Sequence, residues 1–331
     1  MLSSLRVLAA LLLVPLFASG CATLPGAPAP AAERWGFTAP WDARSGASVR
    51  AHGAQLDAVV TGWIPLDSLT GAPFTLYRDT IGTPVTTAAR RMALVTSYHG
   101  SSFHPEPLRA LALRPDSLSH VSNAIAERAV RGGYRGLVLD FEGMTPADTG
   151  VTRAIVASLV SAAHARGIAP VVVALPASDT AGYPARLFDT ADLLMVMLYD
   201  QHWATSPPGA IAAPEWVRRT LATRVAESGA SRIVAALPLY GYQWRATGEA
   251  TTIGYDDAGR LAAEAGVALD RDPATSTLHA TRAGADGWEL WVSDAVLLAQ
   301  LRAEVLALGV RRLAFWRLGL EDPSFWSAPV R

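Results

Sequence analysis

The stretch Tyr134-Arg135-Gly136-Leu137-Val138-Leu139-Asp140-Phe141-Glu142 constrains the fold more than any other part of the chain. It is a glycine-led apolar run of strand type that stops abruptly in two acids. A strand apolar on both sides is what a parallel sheet covered by helices requires. Side chains alternate along a strand, so Gly136, Val138, Asp140 and Glu142 share one face while Leu137, Leu139 and Phe141 share the other. Both carboxyl groups therefore point the same way, with Cα atoms roughly 6.5 to 7 Å apart. Acids at the C-terminal end of such a strand sit where open α/β sheets and (β/α) barrels keep their chemistry. A single Asp after a strand is an ordinary charged loop. Two acids at i and i+2, followed by Gly143, are a candidate catalytic pair.

The 331 residues are 50% hydrophobic and 17% charged, with a formal net charge of −1. This is a globular composition without an electrostatic bias toward nucleic acid. The length accommodates one large barrel or two medium domains. All 28 basic residues are Arg, which excludes a Schiff-base lysine, a Ser-Lys pair and a P-loop lysine. The N-terminus has the layout of a targeting segment: Arg6, the apolar run 7–17, then Ala18-Ser19-Gly20-Cys21. That run is too short to span a bilayer. Cys21 is the only cysteine, so it makes no internal disulfide. Small residues before a lone Cys resemble the lipobox of bacterial lipoproteins, which implies cleavage before Cys21 and lipid on its thiol. Residues 1–20 are then a signal peptide, and the Ala/Pro-rich residues 21–33 a tether. With Ala22 rather than an acid after the lipidated cysteine, the expected attachment is to the outer membrane of a bacterial envelope.

Apolar segments of strand type follow at 35–38, 56–65, 92–98, 136–142, 169–175, 191–199, 232–239 and 312–318. Helical patterns over 45–55, 85–91, 116–131, 146–166, 184–189, 214–228 and 294–308 stand between them. Residues 245–292 break the rhythm. They are rich in Thr, Gly and Asp, carry one helical pattern over 257–265 and otherwise alternate like short strands. The expected fold is α/β: a closed (β/α)8 TIM barrel over residues 34–331, with a small α+β insertion between strands seven and eight. A doubly wound open sheet is the runner-up, but its Gly-rich turn after the first strand is missing.

In a barrel, the C-terminal strand ends place Trp63, Tyr98, His99, Asp140, Glu142, Tyr199, Asp200, Tyr240 and Trp316 around one pocket. His202 and Trp203 follow the sixth strand and join the candidate set. His99 and His202 are equally well read as solvated loop residues. Aromatic platforms with carboxylates suit a sugar, whose rings offer apolar C–H faces and hydroxyl edges, better than a phosphate or a nucleobase. The seven histidines show no H-x-x-x-H or H-x-H spacing, which disfavours a metal site, and no G-x-S-x-G elbow is present. No cofactor is expected.

The motif Gly136-Leu137-Val138-Leu139-Asp140-Phe141-Glu142 resembles the D-G-x-D-x-D-x-E signature of the family-18 glycoside hydrolases, chitinases and relatives. It is closer still to their spore-germination and cortex-lytic branch. Met195-Val196-Met197-Leu198-Tyr199-Asp200, Leu237-Pro238-Leu239-Tyr240-Gly241-Tyr242 and Phe315-Trp316-Arg317-Leu318-Gly319 extend the resemblance over roughly residues 34–326. The resemblance implies Glu142 as general acid, Asp140 as the carboxylate that orients an acetamido group, Tyr199 as the hydroxyl steadying that group's oxygen, and Trp316 as the floor under the scissile sugar. Two positions depart from the pattern. Arg135 stands at the first Asp and Val138 at the second, so the relay below Asp140 lacks its carboxylate. The activity implied is retaining, substrate-assisted hydrolysis of an N-acetylhexosamine polysaccharide, with peptidoglycan ahead of chitin because of the expected anchor. The alternative is a catalytically weak or inactive glycan-binding protein of the same fold.

Overall fold

The computed structural model describes residues 31–79, 89–248 and 250–327. Its centre is a closed barrel of eight parallel strands: β1 Glu33–Phe37, β2 Ala58–Pro65, β3 Arg90–Thr96, β4 Gly136–Asp140, β5 Val171–Pro176, β6 Leu193–Met197, β7 Ile233–Pro238 and β8 Arg312–Trp316. Each strand pairs with its neighbours in chain order, and β8 on β1 closes the ring. The helices are α1 Ala43–His52, α2 Glu106–Ala112, α3 Pro115–Arg131, α4 Thr149–His164, α5 Pro214–Ser228, α6 Tyr255–Ala265 and α7 Ala295–Ala307. The doubly wound alternative is thereby excluded.

The alternation read from β4 is the one that the barrel uses. Val138 lies in the barrel interior with Trp35, Leu94, Val172 and Met195, whereas Leu137, Leu139 and Phe141 pack outward with Ile125 and Leu159. Boundaries shift at both ends of several elements. β4 ends at Asp140, so Phe141 and Glu142 belong to the turn beyond it. Glu33, assigned to the tether, opens β1, and the rest of residues 1–30, Cys21 included, lies outside the described residues. Of the helix expected over 85–91, residues 85–88 are also outside them, and Arg90 and Arg91 already pair within β3. Between β5 and β6 the expected helix is a single 3-10 turn, Ala185–Phe188. Helix α2 had no counterpart in the sequence reading. It is short and has a proline in its first turn, a place where the missing N–H costs nothing.

The insertion begins directly after β7, at Gly241 rather than 245. It is a five-stranded antiparallel sheet in the order 250–253, 241–245, 288–292, 278–282, 270–271, covered by α6. A Cβ on Gly241 would stand 2.0 Å from the carbonyl oxygen of Trp291, so the first lobe strand can pair there only as glycine. Buried Ile211, Tyr240, Trp244 and Leu320 form the joint between lobe and barrel. Ion pairs from Arg44 to Asp257 (2.9 Å) and from Arg271 to Asp294 tie its far side to α1 and to the cap of α7.

Candidate active site

The C-terminal mouth of the barrel holds a cavity of about 270 Å3 lined by Asp140, Glu142, Tyr199 and Asp200 together with aromatic side chains. A second cavity of about 450 Å3 shares Glu142, Tyr199 and Asp200 with the first and continues over Asp179, Trp203 and Trp216. The two form one cleft with Glu142 at the junction.

Each acid is positioned by a different device. Asp140 closes β4 in register with Thr96 of β3, whose hydroxyl donates to Oδ2 over 3.2 Å. Its Oδ1 is buried and has no partner in the protein. Beneath it Val138, 1% exposed, sits between Leu94 and Val172, so no carboxylate takes the place that the family pattern reserves. Glu142 lies beyond the strand and is placed by Tyr183. That hydroxyl donates to the Phe141 carbonyl (2.8 Å) and accepts from the Met144 N–H (3.0 Å), clamping the turn on both sides of Glu142. Gly143, at φ 80, makes the turn possible. Asp200 has φ 57, rare for a residue with a side chain. Its carboxylate accepts from the hydroxyls of Tyr240 and Tyr242, the latter at 3.3 Å. Tyr242 belongs to the first lobe strand, so the lobe reaches the acids through this bond.

No basic side chain lines either cavity among the described residues. Burial, then the charges of Asp140 and Asp200, push Glu142 up to about 8. Burial raises Asp140 to about 6, partly offset by the Thr96 hydrogen bond. Burial also raises Asp200 against the pull of its two tyrosines, and Tyr199, desolvated beside the three acids, keeps its proton. Between those values the site holds a carboxylic acid next to a carboxylate, the arrangement needed for proton donation beside charge stabilisation.

The sequence-selected aromatics divide. Trp63, Tyr98 and Trp316 line the first cavity, and Trp203, 49% exposed, lines the second. Tyr240 is 3% exposed and off the wall; it acts on the site by holding Asp200. His202 is also off the wall, with Nδ1 at 3.0 Å from the Pro207 carbonyl, and His99 packs edge-on against Phe74. Sequence reasoning missed Trp41, Trp216 and Tyr183. Trp41 extends a row of rings outward: Trp316 to Trp63 at 6.3 Å, Trp63 to Trp41 at 4.9 Å, Trp41 to Tyr77 at 5.5 Å. Among the described residues no group of three or more His, Cys, Asp or Glu side chains could hold a metal ion.

No family model matches the chain. It is 24% identical over 282 residues to the cortical fragment-lytic enzyme of Bacillus subtilis (strain 168), over 78% of this chain and 63% of that protein. Among solved structures it is similar to the spore cortex-lytic enzyme SleL of Bacillus megaterium QM B1551, with a TM-score of 0.80 at 20% identity over 89% of this chain and 72% of that one. A chitinase from Chromobacterium violaceum ATCC 12472 matches with a TM-score of 0.80 at 23% identity, over 90% and 97% of the two chains. The barrel is a shared fold. The chain spans less than two thirds of the length of the curated relatives it matches.

The raised carboxyls carry a stability consequence. Both lie above the unfolded-chain value near about 4, so ionising them in place opposes folding. The cost is absent below about pH 4, grows as pH rises and is complete above the Glu142 value of about 8. Glu142→Gln is therefore expected to melt higher than the parent protein near pH 8.5, by roughly 2–4 °C per kcal/mol relieved, with the gap closing near about pH 4. Thermal denaturation across that range checks it; equal melting at alkaline pH contradicts the buried-charge account.

Proposed function

We propose that this chain is a retaining glycoside hydrolase that cleaves N-acetylhexosamine polymers with the substrate's own acetamido group as nucleophile, peptidoglycan being preferred to chitin. One observation carries the reading: two buried carboxyls, Asp140 and Glu142, both raised by burial and Glu142 the higher, stand in an aromatic-lined cleft whose walls carry no basic side chain among the described residues. Glu142, protonated, donates to the glycosidic oxygen. Asp140, ionised, accepts from the acetamido N–H and stabilises the oxazolinium-like charge as the acetamido oxygen attacks the anomeric carbon. Tyr199, whose hydroxyl makes no hydrogen bond among the described residues, is left to steady that oxygen. In this reading the acetamido group takes the nucleophile's place, and no protein nucleophile is needed. The relatives named for cortex lysis and chitin cleavage support the substrate class.

Purified protein is expected to release new reducing ends from peptidoglycan glycan strands and, more slowly, from chitooligosaccharides. The rate should follow a bell whose limbs are those of the acid pair, near about 6 and about 8. Glu142→Gln removes the transferable proton and is expected to lose roughly 100-fold or more in kcat; Asp140→Asn should be comparably impaired. Measurable binding of both glycans with no turnover by the parent protein would replace the hydrolase by a glycan-binding protein.

The reading includes a place in the cell envelope, with lipid on Cys21 tethering the barrel to the outer membrane through the residues between Cys21 and β1. Support comes from the sequence Ala18-Ser19-Gly20-Cys21 alone. Cys21→Ser is expected to move the full chain from the membrane fraction to the soluble periplasm in a bacterial host. Undiminished pelleting with membranes would contradict the anchor.

A further inference from the structure

Away from the acids, a cavity of about 310 Å3 opens where the tip of the lobe meets the loop after β6. Its lobe wall carries Arg245, Arg282, Trp244 and Trp288, and Pro208 closes it from the barrel side. Arg245 and Arg282 both pair in register with Trp288, one from each flanking strand. Cross-strand partners in an antiparallel sheet project from the same face, so the two arginines stand on either side of Trp288 on one face of the sheet. Neither makes an ion pair or a side-chain hydrogen bond among the described residues, whereas the lobe's Arg271 and Arg260 are both engaged by acids. Trp244, in register with Glu289 and so on the other face of the sheet, is 6% exposed, and its buried indole N–H has no acceptor among the described residues. The turn forming the rim needs glycine at 287, where a Cβ would lie 2.7 Å from the Gly284 carbonyl oxygen. Glu289 also borders the cavity, but its Oε1 accepts from Trp291 Nε1 at 2.7 Å and lies 3.5 Å from His279 Nε2.

We infer that this cavity binds a carboxylate-bearing part of the glycan strand, the two arginines receiving the carboxylate on either side of Trp288. Guanidinium groups pair with carboxylates through paired N–H donors, and a neutral sugar offers them nothing of equal strength. The position fits an extension of the cleft: Trp203, on the wall of the second cavity, and Pro208, on the wall of this one, are the two ends of one compact turn held by Ser206 and by the His202 contact with Pro207. The inference rests on the proposed glycan substrate and adds a reason for peptidoglycan over chitin, since only the former carries carboxylates, on its stem peptides and on any lactyl group that bears no peptide.

The test is direct binding by calorimetry, with the full chain carrying Glu142→Gln to prevent turnover. Three probes are compared: glycan strands with stem peptides, strands stripped of peptides but keeping lactyl groups, and chitooligosaccharide of equal length. Arg245→Gln with Arg282→Gln is expected to weaken at least one carboxylate-bearing probe roughly tenfold or more and to leave chitooligosaccharide unchanged. Loss on peptide-bearing strands alone assigns the peptide carboxylates, loss on stripped strands alone assigns the lactyl carboxylate that peptide removal frees, and loss on both assigns a site that takes either. Unchanged affinity for both strands, or equal loss on all three probes, overturns the inference. Should the double variant fold poorly, salt titration of the singly substituted Glu142→Gln protein decides. Affinity for the charged strands should fall with salt while that for chitooligosaccharide holds, and parallel curves overturn it. Chitooligosaccharide turnover by the parent protein reports on the hydrolase reading separately.

Discussion

Two carboxyl groups placed side by side in a cavity without a cation are the constraint on which the rest of this structure depends. A buried acid with no opposing charge escapes the cost by keeping its proton. With the charges of Asp140 and Asp200 added to its own burial, Glu142 is raised further than Asp140. An arginine at the cavity wall would ionise both acids and abolish the donor. In a chain whose basic residues are all arginine, permanently charged, their exclusion from both cavities matters more than it would if a titratable lysine were available.

Holding that pair in place takes several remote parts of the fold. Strand β4 supplies Asp140 with the rigidity of the barrel, but Glu142 lies past the strand and borrows its order from Tyr183. Tyr183 is itself fixed by Arg224, which is 1% exposed and donates to the carbonyls of Pro176, Asp179 and Tyr183. The buried guanidinium of α5 thus sets both the wall of the second cavity and, one step on, the turn that bears Glu142. The lobe enters by another route. Tyr242 and Tyr240 hold Asp200 in its left-handed conformation, so the insertion contributes to the electrostatics of the acids although none of its residues lines either cavity around them.

The barrel was legible in the sequence because its evidence is periodic: apolar strands of similar length alternating with helical patterns leave few other topologies. Asp140 and Glu142 were legible because they interrupt such a strand. What escaped were residues whose role depends on contacts distant in sequence. Tyr183 meets Phe141 across 42 positions, and Trp41 and Trp216 lie outside the strand ends where an inventory of barrel positions looks. Tyr240 stands at its strand end as expected, yet its ring turns into the joint with the lobe, a choice made by Asp200 and Trp244 that no periodicity encodes. Helix α2 was lost to its prolines and the start of the lobe to the strand-like continuity of β7 into Gly241.

The central claim is that one protonated and one ionised carboxyl serve a nucleophile supplied by the substrate. The configuration of the first-formed sugar reports on it most directly. Early-time proton NMR of glycan strand or chitooligosaccharide hydrolysis, read before mutarotation, should show the new reducing end in the anomeric configuration of the bond that was cleaved. A product of inverted configuration would require water to attack directly and would contradict the account.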